Sequence, residues 1–302
     1  MLDFIFRRTA TVLDASAGEA RRILHGRGQC FPGLDFVTLD WYPPLLLLIL
    51  YREPDPDWLE KLALGLRQRA RDRAHCLLVQ YRCRPASPSF CLWGEVPEPL
   101  DALEAGLRFR LHPGKAQNLG FFPDMAVGRQ LVREISSGRR VLNLFAYTCG
   151  FSVAALAGGA EEVINLDMHR PSLEIGRLNH ELNGLDLRRA RFLAHDLFKS
   201  FGQLRRHGPY ELIVVDPPGN QGRSFQASRD WPKILGRLDQ LLAPDGEVVV
   251  AVSTPELGGG FLAGALTRHF PQGELLGRWT AGEDFPERDA EKGLNLFHLR
   301  RG

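Results

Sequence analysis

VLNLFAYTCGFSVAALAGGAEEVINLD, residues 141 to 167, decides the fold. Its ends, 141–145 and 163–167, are short apolar runs with the length and branched content of buried strands. Between them sits the turn Ala146-Tyr147-Thr148-Cys149-Gly150, with a single glycine. A turn after a first strand is where open α/β sheets receive nucleotide-like ligands. The three spaced glycines that fit a pyrophosphate to a helix N-terminus are absent. The turn therefore calls for a nucleotide-like ligand without that group.

The pattern continues downstream. RFLA (191–194), LIVVD (212–216) and VVVAVS (248–253) are further strand candidates, separated by helical stretches. One such stretch is PSLEIGRLNHELNG (171–184). Pro171 stands in its first turn, Ile175, Leu178 and Leu182 share a face, and Asn183-Gly184 stops it. Another runs over about 229–242 and is followed by the turn Pro244-Asp245-Gly246. Strands alternating with helices predict an α/β fold, a parallel sheet covered on both faces. LLGRWTA (275–281) and LNLFHLR (294–300) would add strands at one edge.

The first hundred residues read differently, as a small α+β unit. FVTLDWY (36–42) and LLLLILY (45–51) are strands split by Pro43-Pro44, CLLVQYRC (76–83) is a third, and LRFRLHP (107–113) a fourth. Residues 55–72 predict a helix with Asp55 as N-cap before Pro56, Leu59, Leu62 and Leu66 on one face and a basic opposite face. The boundary falls within 105–125. We place a small α+β domain at 1–112, open to a substrate or RNA-binding role, and the larger domain at 113–302.

Composition narrows the class. The chain has 302 residues, 44% of them apolar, and a net charge of +2 from 38 basic and 36 acidic residues, so any nucleic-acid footprint must be local. The five cysteines, Cys30, Cys76, Cys83, Cys91 and Cys149, are odd in number and form no CxxC pair. That argues against a disulfide framework or a zinc site and for reduced thiols in the cytoplasm. No metal is expected. The longest apolar run, PPLLLLILY (43–51), is too short to span a bilayer, and Leu2 to Phe6 is too short for a signal peptide.

Ligands of such sheets bind beyond the carboxyl ends of the strands. Those ends carry Asp167, His195-Asp196 and Asp216-Pro217-Pro218. A carboxylate at 167 can accept from both hydroxyls of a ribose, and one at 196 from an adenine amino group. S-adenosylmethionine (SAM) has a ribose diol, an adenine, an amino-acid tail and no phosphate. It fits this set better than NAD, with the turn cradling its methionine end. A strand-ending Asp taken alone is more often a cap or turn residue. Their order together carries the argument.

The segments RVLNLFAYTCGFSVAALAGGAEEVINLDMHRPSLEIGRLNHELNGL, FLAHDLF and DPPGNQGRSFQASRDW resemble the bacterial large-subunit (23S) rRNA methyltransferases of the I and K/L families. These are class I SAM-dependent enzymes with a Rossmann-like sheet. AQNLGFFPDM (116–125) is similar to the segment that precedes that family's first strand, and the stretch from Arg22 to Tyr42 to its small α+β domain. The PUA domain of the I type and the THUMP region of the K/L type are not seen in the chain. The resemblance implies that Gln117, Phe122 and Asp124 line the cofactor site from upstream. It implies that Asn143, Phe145, Tyr147, Thr148 and Gly150 shape the SAM loop, that Asp167 with Met168 holds the ribose, and that Asp196 with Leu197 holds the adenine side. Asp216, Pro217 and Pro218 would face the methyl group and the target base, with Asp216 also at the cofactor.

Two departures bear on the reaction. Cytosine C5 methylation needs a cysteine thiolate to attack the ring, and the matching segment AVSTP (251–255) offers Ser253 and Thr254 instead. Guanine N7 is already nucleophilic, so N7-type chemistry is favoured. Gly219 stands where the family pattern has a larger residue. Cys149 is read as structural, and His169 and His195 are given no catalytic role. Phe225 either stacks on the base or packs in the core. Arg223 would meet a substrate phosphate. The clusters Arg67, Arg69, Arg71, Arg73, Arg82, Arg84 and Arg7, Arg8, Arg21, Arg22, Arg27 are either an RNA surface or solvated faces. The expected partner is rRNA or another RNA, with no membrane. The alternatives are a protein or small-molecule substrate, or a SAM-binding ribosome-assembly factor without catalysis.

Overall fold

The structure, a computed structural model, describes every residue except 71, 222–224 and 255, with the side chains of 220 and 221 also outside the description. The chain forms two units, Met1–Pro123 with Gly282–Arg288, and Asp124–Ala281 with Asp289–Gly302.

The first unit contains α1 (Leu2–Ala15), β1 (Arg21–His25), β2 (Val37–Tyr42), β3 (Leu45–Leu50), α2 (Pro56–Ala70), β4 (Cys76–Tyr81), β5 (Ser89–Gly94), β6 (Leu100–Glu104) and β7 (Leu107–Leu111). The first five strands form one sheet in chain order, and β6 with β7 forms a separate hairpin. The fourth predicted strand, 107–113, thus pairs with β6 and does not extend the main sheet. Only β3 and β4 are parallel, because α2 crosses between them. Asp55 caps α2 as expected, accepting from the amides of Asp57 and Trp58. Ile5, Phe6 and Leu13 of α1 and Leu62 and Leu66 of α2 bury one face of the sheet through Leu39, Trp41, Leu46, Leu48 and Val79. The two helices meet closely at Gly65, where an added Cβ would lie 2.1 Å from the Phe6 ring. Gly65→Ala is expected to cost ~1–3 kcal/mol by overpacking, read as a lower urea midpoint. An unchanged midpoint would contradict this packing.

The unit boundary lies between Pro123 and Asp124, within the expected 105–125 but later than the 112/113 division. The cause is the tether of residues 113–121 to the first unit. The His112 amide donates to Leu119 (2.8 Å), the Arg82 guanidinium to the Gln117 carbonyl (2.9 Å), and Phe121 stacks on Phe109 at 5.0 Å. Residues 282–288 return to this unit as well. Arg21 pairs with Asp284 (2.5 Å), His25 Nε2 contacts Glu287 (2.9 Å), and the Arg22 guanidinium lies 4.8 Å from the Phe285 ring centre.

The second unit runs α3 (Ala126–Ile135), β8 (Arg140–Leu144), α4 (Gly150–Ala157), β9 (Glu162–Asp167), α5 (Arg170–Leu182), β10 (Ala190–Ala194), α6 (Leu197–His207), β11 (Tyr210–Val215), β12 (Asn220–Gln221), β13 (Phe225–Gln226), α7 (Ala227–Leu238), β14 (Leu242–Val252), α8 (Gly258–His269), β15 (Gly273–Thr280) and β16 (Asn295–Arg301). Seven strands make one sheet in the order β10-β9-β8-β11-β14-β16-β15. The first five are parallel, as the sequence pattern predicted, and the two expected edge strands, β16 and β15, run antiparallel. Leu142, Ile164 and Ile213 face Leu204, Trp231, Ile234 and Leu262 of α6, α7 and α8. Val141, Val163 and Leu212 face Val132, Phe151 and Ala155 of α3 and α4. Burial on both faces is why these strands read as continuous apolar runs.

Two local expectations differ. Pro244-Asp245-Gly246 lies inside the span of β14, where Asp245 takes φ +56° and the register with β11 shifts. The fully buried face of α5 is Leu173, Gly176, Asn179 and His180, and Ile175, Leu178 and Leu182 are only half-buried. Among the described residues no helix is long and apolar enough to cross a membrane.

Candidate functional site

The strand order reverses beside β8. The chain goes outward through β9 and β10, then returns to β11 on the other side. Ligands bind at such a switch point, beyond the strands' carboxyl ends. Phe145 follows β8 there and Asp216 follows β11.

The turn after β8 is built by an unusual backbone. Phe145, Tyr147 and Cys149 all have positive φ, at +57°, +47° and +61°. Side chains of this size rarely enter the left-handed region, and residues held there cluster at functional sites. Gly150, the single glycine of the turn, opens α4, and Phe145, Tyr147 and Cys149 carry the left-handed conformation. Every second residue is left-handed, and the helix N-terminus follows at once. The amides of Ala146, Tyr147 and Cys149 are bonded within the protein, and the positive end of the α4 dipole is what favours a carboxylate at this turn.

Neighbouring elements fix this turn. The Asp167 carboxylate accepts from the amides of Tyr147 and His169, both at 2.8 Å. The Asn179 side chain donates to the Thr148 carbonyl (2.9 Å), and the Ala146 amide to Leu166 (3.1 Å). Below the turn, Asn143 donates to Asn165, Asn165 to Ser152, and Ser152 meets His180 Nε2, at 2.9, 3.0 and 2.9 Å, all buried. His180 Nδ1 lies 2.7 Å from the Gly176 carbonyl, which can only accept, so Nδ1 carries the proton. Nε2 is then the acceptor and the Ser152 hydroxyl donates to it. Burial lowers the His180 pKa and keeps the ring neutral. Asn143 is thus buried in the floor beneath the turn.

Cys149 is fully buried, with its thiol pushed well above the ordinary range by burial and, secondarily, by Asp167. It fits against Gly176, where an added Cβ would be 2.4 Å from the sulfur. Its role is packing. The sequence reading missed Gly176, since a glycine inside a helical pattern carries no mark of what it meets.

The other strand ends are as follows. Met168, beside Asp167, is 52% exposed. Asp196 caps α6 by accepting from Phe198 (2.8 Å), while Leu197 is buried in the core. Asp216 is half-buried near Asp124 and the buried Arg129. Its pKa is pushed up to about 7, chiefly by burial, then by Asp124, with Arg129 opposing. Pro217 is buried and Pro218 exposed. Gln117 and Phe122 belong to the first unit, where Phe122 is 41% exposed.

Of the two readings of Phe225, the structure selects core packing over stacking on a base. This residue is 2% exposed and stands edge-on to Phe145 at 5.1 Å, so it packs in the core and has no face free for a base. Arg223 and Arg71 lie outside the described residues. Most of the other arginines proposed for RNA are engaged within the first unit. Arg69 lies over Phe6, Arg73 pairs with Asp14, Arg84 pairs with Glu53 and stacks on Tyr81, and Arg22 pairs with Asp40. Arg7 and Arg67 remain exposed.

A basic stripe that the sequence reading overlooked runs along α7. Arg229, Lys233 and Arg237 follow at helical spacing, all exposed. Lys233 and Arg237 lie 5.6 and 5.0 Å from the ring centres of Phe198 and Phe201 on α6. The buried Asp230 binds Arg229 (2.5 Å) and Lys233 (2.8 Å), which holds its carboxyl far below the usual range.

A family model described as S-adenosylmethionine-dependent methyltransferase matches residues 21–300. The chain belongs to this family. The methyltransferase is 39% identical over 158 residues to ribosomal RNA large subunit methyltransferase I of Aeromonas salmonicida, a match covering 51% of this chain and 40% of that one. It is 35% identical over 205 residues to the enzyme of the same name from Tolumonas auensis, covering 65% and 52%. The matched part is about half the length of these relatives. Among solved structures, SMU.776, assigned as a methyltransferase and complexed with SAH, superposes with a TM-score of 0.88 at 24% identity, covering 99% of this chain and 81% of that one. The complex of aTrm5 with tRNALeu superposes at 0.62 and 13% identity, covering 92% and 78%. At these identities the likeness is one of fold. The sheet is that of a class I methyltransferase, and its cofactor is SAM.

Proposed function

We propose that this methyltransferase modifies a base of large-subunit rRNA, by attack of a nucleophilic ring nitrogen such as guanine N7. The observation that carries the reading is the pairing of Asp216-Pro217-Pro218 at the switch point with the absence of a usable thiol. Cys149 is the sole cysteine of the second unit, and it is buried and protonated. Attack at cytosine C5 requires a thiolate, whereas a purine nitrogen attacks with its own lone pair and loses no proton. The names of the relatives support RNA as substrate. So does the α7 stripe, which spans about 12 Å from Arg229 to Arg237 at 1.5 Å per residue and combines cations with aromatic rings, as RNA-binding surfaces do.

SAM supplies a methyl group on a sulfonium, so the leaving group is neutral and the protein's work is alignment and exclusion of water. The residues present fit it. The turn Phe145-Tyr147-Thr148-Gly150 receives the amino-acid end, held from beneath by Asn143. Asp167 keeps lone pairs beyond the two amides it binds and accepts from the ribose hydroxyls, with Met168 beside it. Asp196 accepts from the adenine amine, with Leu197 packed behind. Asp124 completes the cofactor set of the second unit. Asp216, ionised above pH about 7, accepts a base N–H and stabilises the positive charge that grows on the methylated ring, while Pro217 and Pro218 stiffen its loop. The first unit, Met1–Pro123 with 282–288, offers the exposed Arg7 and Arg67 for a substrate or RNA-binding role.

The test is transfer of tritium from methyl-labelled SAM to total rRNA from a strain lacking the protein. Label is expected in RNA with the wild type and not with Asp216→Ala. Equal labelling by both would overturn the role of Asp216. Wild-type protein that binds SAM yet labels no RNA would overturn the RNA reading.

A further inference from the structure

Beyond the strand-end acids, a polar group near the site has no hydrogen-bond partner among the described residues. The Thr254 hydroxyl oxygen is buried, and no described residue bonds to it. Buried hydroxyls in folded proteins are nearly always paired, and an unpaired one calls for an explanation. Its position supplies one. Thr254 follows the carboxyl end of β14, and Asp216 follows that of β11, two parallel strands in register through Val215 and Val250. The Thr254 carbonyl accepts from the amides of Leu257 (3.1 Å) and Gly258 (3.2 Å), so the backbone at 254 is held as the chain enters α8.

Across from it lies Gly219, directly after Asp216-Pro217-Pro218. A Cβ at 219 would sit 1.9 Å from the Thr254 methyl, 3.2 Å from its Cβ and 3.6 Å from its hydroxyl. The threonine therefore occupies the space that a side chain at 219 would take. The Gly219 carbonyl accepts from the Ala227 amide (3.1 Å), which ties this point to the start of α7. Thr254 thus packs its methyl against the Asp-Pro-Pro-Gly turn, with its hydroxyl 3.6 Å from the position of a Cβ at 219.

We propose that Thr254 is a base-reading residue: its hydroxyl takes its missing hydrogen bond from the edge of the target base, and Gly219 is glycine so that Thr254 can reach that place. The inference rests on the RNA reading above and deepens it. A hydroxyl both donates and accepts, so it complements a purine edge that presents both kinds of group. A site left with an unpaired buried hydroxyl discriminates strongly against a base that cannot bond to it. Asp216 and Thr254 would then address two atoms of one base, which fixes its rotation in the ring plane.

The experiment compares wild type, Thr254→Val and Thr254→Ser in steady-state methylation of rRNA, with SAM affinity measured by calorimetry. Valine keeps the shape and removes the hydroxyl. It is expected to lower kcat/KM for RNA by about tenfold or more, leave SAM affinity unchanged and keep the fold, while serine retains most of the activity. Gly219→Ala, which displaces Thr254, is expected to give the same RNA-specific loss. Full activity of Thr254→Val would overturn the proposal while leaving the RNA reading intact. Equal weakening of SAM binding would assign the hydroxyl to the cofactor and overturn it too. A wild type inactive on RNA would overturn both.

Discussion

At pH 8, Asp216→Asn is expected to make the ligand-free protein more stable by ~2–4 kcal/mol and to abolish methyl transfer to RNA. The carboxyl is half-buried, close to Asp124, and its pKa in the folded protein is about 7 against an ordinary 3.8. Between these values the unfolded chain has released the proton and the folded one still holds it. Stability contributed by this group is therefore complete below pH about 4 and is lost as pH rises to about 7. Above that the folded protein carries an ionised carboxylate in a poor environment. Asparagine has no charge to bury, so its advantage is absent at pH 4 and full at pH 8. Urea unfolding at the two pH values measures it, and an equal difference at both would contradict the assignment. Exchange of stability for function is expected where a site keeps a destabilised group for its chemistry. In the wild type, kcat/KM should rise with pH through about 7 as Asp216 becomes an acceptor. A flat profile would mean that its charge has no part in turnover.

Gly176→Ala should weaken SAM binding at least about tenfold, although residue 176 lies behind the turn. The new methyl would stand 2.4 Å from the sulfur and 2.9 Å from the Cβ of Cys149. Both atoms belong to a residue held at φ +61° within the turn. The helix backbone at 176 cannot easily recede, because its carbonyl accepts from His180 in the buried chain leading to Asn143. The turn is then the part that moves. Cys149→Gly removes both obstructing atoms and suits a positive φ. The double variant Cys149→Gly with Gly176→Ala should therefore recover much of the lost affinity. Calorimetric titration with SAM decides it. Wild-type affinity in Gly176→Ala, or no recovery in the double variant, would contradict this account of the turn.

The parallel sheet was legible because burial on both faces leaves strands such as Val141–Leu144 and Leu212–Val215 almost wholly apolar. The acids at their ends were legible for a related reason, since polar residues stand out where such runs stop. What escaped was set by tertiary context. Strand β5 is short and largely exposed, so Ser89–Gly94 shows no alternation to read. Helix α1, LDFIFRRTATVLDA, mixes helix formers with β-branched residues, and its buried face of Ile5, Phe6, Thr9 and Leu13 emerges only against the sheet. Residues 113–121 form no regular element, and their attachment to the first unit rests on scattered bonds to Arg82 and Phe109. No propensity places Phe145, Tyr147 and Cys149 in the left-handed region. Phe225 was as plausible a stacking residue as a core one until Phe145 was found against it. Glycines at 176 and 219 look alike in sequence, and only the neighbouring Cys149 and Thr254 show what each makes room for.

The most direct test of the account is mass spectrometry of nucleosides from rRNA of a strain lacking the protein, after incubation with the purified methyltransferase and SAM carrying a deuterated methyl group. The account predicts a heavy methyl on guanosine, at N7, formed by the wild type and missing with Asp216→Ala. A heavy methyl on cytidine C5, or heavy methyl found in protein and in no nucleoside, would contradict it.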